Sequence, residues 1–265
     1  MTDVVAVKVP RRWHRKAIVI GAILCSLVIV VVGLWAADTW ARQQVSNYVT
    51  EKVQEVLSLE SDDNIDVKLA GFSILAQLAT GSLDEIAVDV DEVEIGDLTG
   101  DVALTARGVP IDLSKPVDSV EIEFRVSEQS LKSVAHLLST AAIDSIELAE
   151  GELRFASEFH IFGFTLTVGI GVEPFADDGQ IAFTPTSVEL NGSRTSADAL
   201  VDTFGGAAKS LLQTQSFCVA QWLPAALTLT DVVIDGDELV VTIGAKDAVF
   251  DETSVRELGS CPDAP

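Results

Sequence analysis

Twenty-one consecutive residues, Ala17 to Ala37, carry neither charge nor proline: AIVIGAILCSLVIVVVGLWAA. A helix needs about 20 apolar residues, at 1.5 Å each, to cross a hydrocarbon core about 30 Å thick. In lipid only a helix satisfies its backbone polar groups within one segment. The run therefore predicts a transmembrane helix over 17–37. A buried core helix is the competing reading, but soluble helices of this length keep a polar stripe. Lys8, Arg11, Arg12, Arg15 and Lys16 precede the run and Asp38 follows it. Basic residues stay on the cytoplasmic side, so the rest of the chain is expected outside. A cleaved signal peptide would have a shorter apolar stretch and small residues before its cut. Leu34 and Trp35 stand there instead, and the apolar run continues past Cys25, which argues against a lipoprotein site. The expectation is an uncleaved signal anchor in the cell membrane, with a short disordered cytoplasmic tail over 1–16.

The charge balance narrows the partners. After Ala37 the chain holds twelve Lys and Arg against forty Asp and Glu, a net of −28. Nucleic-acid binding is driven by phosphate neutralisation, so no nucleic acid is expected. Broad electrostatic adsorption to an anionic membrane face is disfavoured for the same reason. Of three cysteines, Cys25 lies in the apolar run, while Cys218 and Cys261 fall on the expected outer side. An oxidising compartment permits a bridge between them, and two free thiols are the alternative. The bridge is favoured because it would pin a Pro-containing C-terminal tail, 251–265.

Beyond the anchor the periodicity changes twice. Val45, Val49, Val53, Val56 and Leu57 recur at helical spacing, predicting an amphipathic juxtamembrane helix over 38–60. From Ile65 the period becomes two. Ile65, Val67 and Leu69 alternate with polar residues, as do Ile86, Val88 and Val90, then Val102, Leu104 and Ala106. Val120, Ile122, Phe124 and Val126 against Glu121, Glu123 and Arg125 make the cleanest strand. Between the first two strands Gly71 to Gly81 is an apolar knot, read as a short helix or turn. Helices are expected from Ser127 to about Ala141 and from Ser196 to about Leu212, with Gly205-Gly206 as a weak spot. Asp177-Asp178-Gly179 and Asp235-Gly236-Asp237 signal turns. The region 61–250 thus reads as an α+β ectodomain of antiparallel strands, each apolar on one side only. Two or three helices are too few to cover so many strands if the sheet is flat. The sheet is therefore expected to curl strongly, round a helix or round something brought in from outside.

No nucleophile elbow, zinc-protease helix, phosphate loop or Cys-x-x-Cys is present. The three histidines are scattered. Asp89, Asp91, Glu92 and Glu94 could gather calcium, but a solvated strand face explains them better. Asn191-Gly192-Ser193 matches a glycosylation triplet, a common chance match. No enzyme, cofactor or metal is expected.

The knot Gly71-Phe72-Ser73-Ile74-Leu75-Ala76-Gln77-Leu78, followed by Gly81, resembles a block of the LmeA family of phospholipid-binding envelope proteins. Ser73 and Ile74 stand where that family often has Pro and Phe. Cys218-Val219-Ala220-Gln221-Trp222-Leu223-Pro224, before the last hairpin, resembles its C-terminal block. The resemblance covers most of 38–250. It implies an elongated, TULIP-like lipid-binding fold with a curved sheet wrapped round a helix. It also implies a role in envelope lipid or lipoglycan maintenance, with a phospholipid or lipoglycan precursor as partner.

Exposing roughly 30 methylenes of a diacyl lipid to water costs on the order of 25 kcal/mol, so a lipid carrier must offer a dry groove. Phe72, Ile74, Leu75 and Leu78 are expected as its mouth or flap. Phe124, Phe155, Phe159, Phe164 and Leu166 are expected as its wall. Ordinary core packing competes for each of these residues. A scaffold module for envelope assembly, with no ligand of its own, is the alternative function.

Overall fold

The computed structural model describes residues 11–57, 59, 64–138, 143–161, 164–251 and 253–261, and of 11–29 the backbone alone. The first of the described elements is one helix, α1 (Arg11–Leu57), which runs for 47 residues, about 70 Å. It takes in the whole backbone of the expected anchor span, 17–37, and most of the expected juxtamembrane helix, 38–60. It begins at Arg11, inside the stretch expected as disordered tail, because nothing in Arg11–Lys16 breaks a helix. The side chains of 17–29, most of the expected span, lie outside the described residues. Among the described residues no helix is long and apolar enough to cross a membrane.

Two antiparallel sheets follow. The chain runs β1 (Ile65–Leu69), α2 (Ile74–Thr80), β2 (Ser82–Ile95), β3 (Leu98–Pro110), β4 (Val117–Ser127) and α3 (Glu128–Leu138). It continues through β5 (Ser145–Ala149), β6 (Glu152–Ile161), β7 (Phe164–Asp177), β8 (Gln180–Leu190) and β9 (Ser193–Ser196). Then come α4 (Ala197–Phe204), α5 (Gly206–Leu211), β10 (Gln215–Cys218), β11 (Thr228–Asp235) and β12 (Glu238–Ala248). The first sheet has the order β1-β2-β3-β4-β12-β11, and the second has β10-β8-β7-β6-β5 with β9 beside β8. The C-terminal hairpin thus returns to the first sheet and pairs β12 with β4, from Glu238 opposite Ser127 to Ala248 opposite Val117.

That return corrects the expected single, strongly curled sheet. With β12 on its outer edge, β4 cannot hand the sheet on to β5, so β5 starts a second one. Neither sheet closes on itself. The apolar face of the first sheet is instead covered by α1 over β1–β3 and meets the second sheet and α3 at its other end, and between them the row across β4 and β12 is half-buried. Val45, Val49, Val53 and Leu57 of α1 pack on β1, β2 and β3, around Leu69, Leu83, Val88, Val90 and Val93. At the other end Val126, Leu131, Ile146, Leu148, Leu153 and Val172 form one buried cluster drawn from both sheets and α3. Glu128 ties this joint: one carboxylate oxygen accepts from the Leu148 amide at 2.8 Å and the other pairs with Lys132. The Lys132 bond first, then the Leu148 amide, hold this carboxyl below its ordinary range.

Locally the turns follow their chemistry. Asn191-Gly192 joins β8 to β9 with both residues at positive φ, 48° and 81°, the geometry of a tight two-residue hairpin. Its Asn191 side-chain oxygen accepts from the Thr167 amide at 3.0 Å, so the first residue of the chance glycosylation triplet is held here as a structural turn residue. The helix expected over Ser196–Leu212 breaks at Gly205 into α4 and α5. The helix expected from Ser127 to about Ala141 is α3 over Glu128–Leu138, and 139–142 lie outside the described residues. Cys218 and Cys261 are joined by a disulfide.

Candidate lipid-binding faces

The knot between β1 and β2 is a capped helix. Ser73 is the N-cap of α2, its hydroxyl accepting from the Ala76 amide at 3.2 Å, and Gly81 is the left-handed C-cap. Ile74 is fully buried and Leu78 packs beside it on Ala41, Leu69 and Leu83. Gln77 is the buried polar residue of the helix. Its amide donates to the Ala70 carbonyl at 3.0 Å, and its oxygen accepts from the Asp84 amide at 2.7 Å. One side chain thus bolts the end of β1 to the start of β2, and a buried amide this well paired costs little. Gly71 makes room for it: at φ +101° an added Cβ would lie 2.0 Å from Gln77 Nε2.

The knot is also latched to α1. Asp38 Oδ1 accepts from the Ser73 hydroxyl at 2.7 Å and from the Leu75 amide at 3.0 Å. Arg42 donates to the carbonyls of Leu69 and Gly71, the latter at 3.1 Å. The Leu75 amide foremost, then the Ser73 hydroxyl, hold the Asp38 carboxyl below the usual carboxylate range. Phe72 stands at the apex of this rigid corner, fully exposed, and Leu75 is 37% exposed. Of the four residues expected as a mouth, Ile74 and Leu78 are therefore packed inside, while Phe72 and Leu75 point to solvent.

The wall residues fall on a different surface. In the first sheet Leu104, Ile122 and Ile243 come side by side across β3, β4 and β12: Ile122 pairs with Leu104 and with Ile243. Their neighbours Val102, Phe124 and Val241 form the next row. All of these are only half-buried, although β4 is a central strand. Phe124 reaches the shared cluster at the joint, where Phe155 of β6 also packs.

From Phe155 the same face continues along the second sheet. Phe155 pairs with Ile170 and Phe159 with Leu166, and Ile170 and Val168 pair in turn with Val188 and Leu190. Directly opposed residues share a face, so these side chains make one apolar surface. Its exposure rises outward. Leu153 and Val172 are buried, Phe159 is 46% exposed and Phe164 is 79% exposed. The structure therefore brings Phe124 and Phe155 together and sets Phe159, Phe164 and Leu166 in line with them. Phe72, Ile74, Leu75 and Leu78 lie in the separate region around α2.

The opposite, outer faces are polar. A depression of about 240 Å³ there is floored by Gly169 and Gly171 and rimmed by Arg154 and Arg194. Both guanidiniums are neutralised by Glu150 and Glu152, with Glu147 also beside Arg154. A second depression of about 420 Å³ is lined by Arg125, Glu92, Asp101 and Glu238. Lys68 is bracketed by Asp66 and Asp89 at 2.9 and 3.0 Å, which raises its pKa. No group of three or more metal-ligating side chains converges among the described residues.

Sequence reading missed Gln77, Asp38 and Gly71 as a unit. The available signal was a lone amide on the apolar side of a glycine-bounded knot. It also missed the half-buried centre of the first sheet, which periodicity cannot separate from a packed core.

A family model described as LmeA-like phospholipid-binding matches residues 36–244. No curated protein and no solved structure matches the chain. The matched stretch begins just before Asp38 and takes in the knot, both sheets and the C-terminal hairpin almost to its end, so the chain belongs to the LmeA-like phospholipid-binding family.

Proposed function

We propose that this is a membrane-anchored, extracytoplasmic carrier that holds phospholipid acyl chains on the inner faces of its two sheets. The half-buried apolar patch of Ile122, Val241 and Ile243, at the centre of a six-stranded sheet and beyond the reach of the cluster that α1 makes with Leu104, carries the proposal. A central strand ordinarily buries its inner face fully; a face left half-covered costs free energy unless a guest covers it. From Val120 to Val126 the face spans about 20 Å along β4, and at Phe124 and Phe155 it passes to the second sheet. That length suits an extended acyl chain. The uncharged run 17–37 supplies the anchor and the basic residues before it supply the orientation. Binding rather than catalysis is the role, in the upkeep of envelope lipid or lipoglycan.

The test is photo-crosslinking of the full-length chain in bilayers doped with a phospholipid bearing a diazirine near its acyl terminus. Adducts on Ile122, Phe124, Ile243, Phe155 or Leu166 are expected. Adducts confined to 17–37 would mean ordinary contact with surrounding lipid and would remove the carrier reading.

A further inference from the structure

We propose that Phe72 and Leu75, together with Ile111 and Leu113, form a seat that dips into the head-group layer of the membrane carrying α1. The inference rests on the anchor reading above and adds an orientation and a contact surface to it. Three observations meet at one end of the first sheet.

The first is position along α1. Asp38 is the first residue after the apolar run, and it holds the α2 corner directly through Ser73 and Leu75. Arg42, one turn on, holds Leu69 and Gly71. The apex at Phe72 is therefore fixed beside the residue at which the helix leaves the bilayer. Trp35 and Trp40, both exposed, flank that point on α1. Tryptophans favour the membrane–water boundary, where an apolar ring can keep a wet edge.

The second is the company Phe72 keeps. The Ile111 amide donates to the Gly81 carbonyl at 3.0 Å, so the β3–β4 turn lies against the C-terminal cap of α2. Ile111 and Leu113 are both more than half exposed on that turn. Asp112 pins it by accepting from the Ser114 amide and hydroxyl. Two short, rigid protrusions thus present four apolar side chains, and neither owes its shape to packing of those side chains. Such tips are stable in water yet apolar, as an interfacial wedge must be.

The third is charge. A domain with a net of −28 beyond Ala37 gains no general attraction from anionic lipid. Contact with the bilayer must come from apolar insertion at a defined place. The seat also sets the direction of the groove. β4 and β12 begin and end at this edge, at Val117 and Ala248, so the apolar row from Val120 to Phe124 starts at the bilayer and leads away from it.

Single cysteines are placed at 72 and 113 (Phe72→Cys, Leu113→Cys) in full-length Cys25→Ser protein. The control is Ile95→Cys, an exposed apolar residue at the far end of β2, some 45 Å along the strand. Each is spin-labelled and reconstituted into phosphatidylcholine–phosphatidylglycerol nanodiscs. The ratio of oxygen to nickel-chelate accessibility is expected to be several-fold higher at 72 and 113 than at 95. Equal ratios at all three sites, in protein that stays with the nanodisc, overturn the seat and leave the anchor standing. Dipolar broadening between labels at 72 means that a second copy covers the tips, and also overturns it. Protein that does not stay with nanodiscs removes the anchor and the seat together.

Discussion

Asp38 and Ser73 are 35 residues apart in sequence and 2.7 Å apart in space, and the same Ser73 hydroxyl accepts from the Ala76 amide. A carboxylate on the long helix therefore orders the hydroxyl that caps the short one. The chain Asp38–Ser73–Ala76 makes the geometry of the α2 corner a property of α1, and charge-assisted bonds of this kind are the stronger class.

Asp38→Ala is expected to speed amide exchange at Leu75 and Ala76 by about tenfold, the order of one lost hydrogen bond. Exchange in the β6–β7 hairpin should not change. The same latch gives a pH dependence. The folded-state pKa of Asp38 is lowered, so its contribution is fully present above the ordinary Asp value of about 3.9. It is lost as pH falls through the lower folded value. Protection of Leu75 should be flat from pH 7 to 5 and fall only below about 4. Hydrogen exchange followed by mass spectrometry reads both effects.

Ile74 and Phe72 are two residues apart and should respond oppositely. Ile74 is fully buried among Ala41, Leu69 and Leu83. Ile74→Ala should cost about 2–5 kcal/mol in denaturant unfolding. Phe72 is fully exposed, and Phe72→Ser should change stability by less than about 0.5 kcal/mol. Equal effects would mean that the apex is packed in solution.

The local parts of this structure were legible and the global ones were not. Alternation placed β4 within a few residues, and glycine with aspartate placed the turns at Asp178-Gly179 and Asp235-Gly236-Asp237, because these signals act through neighbouring residues. The pairing of β12 with β4 joins Glu238 to Ser127 across more than a hundred residues, and no local pattern encodes it. Without that pairing the number of one-sided strands pointed to one curled sheet. The candidate faces were half legible for the same reason. Phe155 and Phe159, and likewise Phe164 and Leu166, share a face of their own strand by period two, whereas Phe72 and Ile74 look alike in sequence and are separated only in the fold, where Ile74 is buried and Phe72 exposed.

Gly71→Ala tests the bolt. Its Cβ would meet Gln77 Nε2 at 2.0 Å and Asp84 Oδ2 at 2.5 Å, at a φ of +101° that L residues rarely adopt. The backbone term alone is about 1–3 kcal/mol. The variant should unfold earlier in urea by at least that amount, and the Asp84 amide should lose protection as the Gln77 oxygen is displaced.

Reduction of the disulfide should act on the last segment first. Cys218 and Cys261 are 43 residues apart, so the bridge contributes about 4 kcal/mol on the chain-entropy model. The segment it closes includes the β11–β12 hairpin, and the tail is otherwise held by backbone bonds such as Gly259 to Leu223 at 2.9 Å. Cys261→Ser should lower the unfolding midpoint in a calorimeter and open residues 253–260 to proteolysis. An unchanged midpoint would mean that the reduced state keeps the tail ordered.

Ile122→Trp separates a groove from a core. Ile122 lies between Leu104 and Ile243 at the centre of the first sheet and is half-buried. If side chains already fill the space above it, an indole there is overpacking and should cost about 1–3 kcal/mol. If the space is kept for acyl chains, the indole occupies it at little or no cost and competes with the lipid. The expected outcome is an unfolding midpoint within about 0.5 kcal/mol of the parent, with acyl-chain crosslinking at Phe124 and Phe155 reduced at least tenfold. A large loss of stability with crosslinking unchanged would mean that the space above Ile122 is packed core and not where the acyl chain lies. Phe164→Ser, at the exposed end of the same face, completes the comparison: it should leave stability unchanged and weaken crosslinking less than Ile122→Trp, because its ring touches the lipid only where the face opens to water.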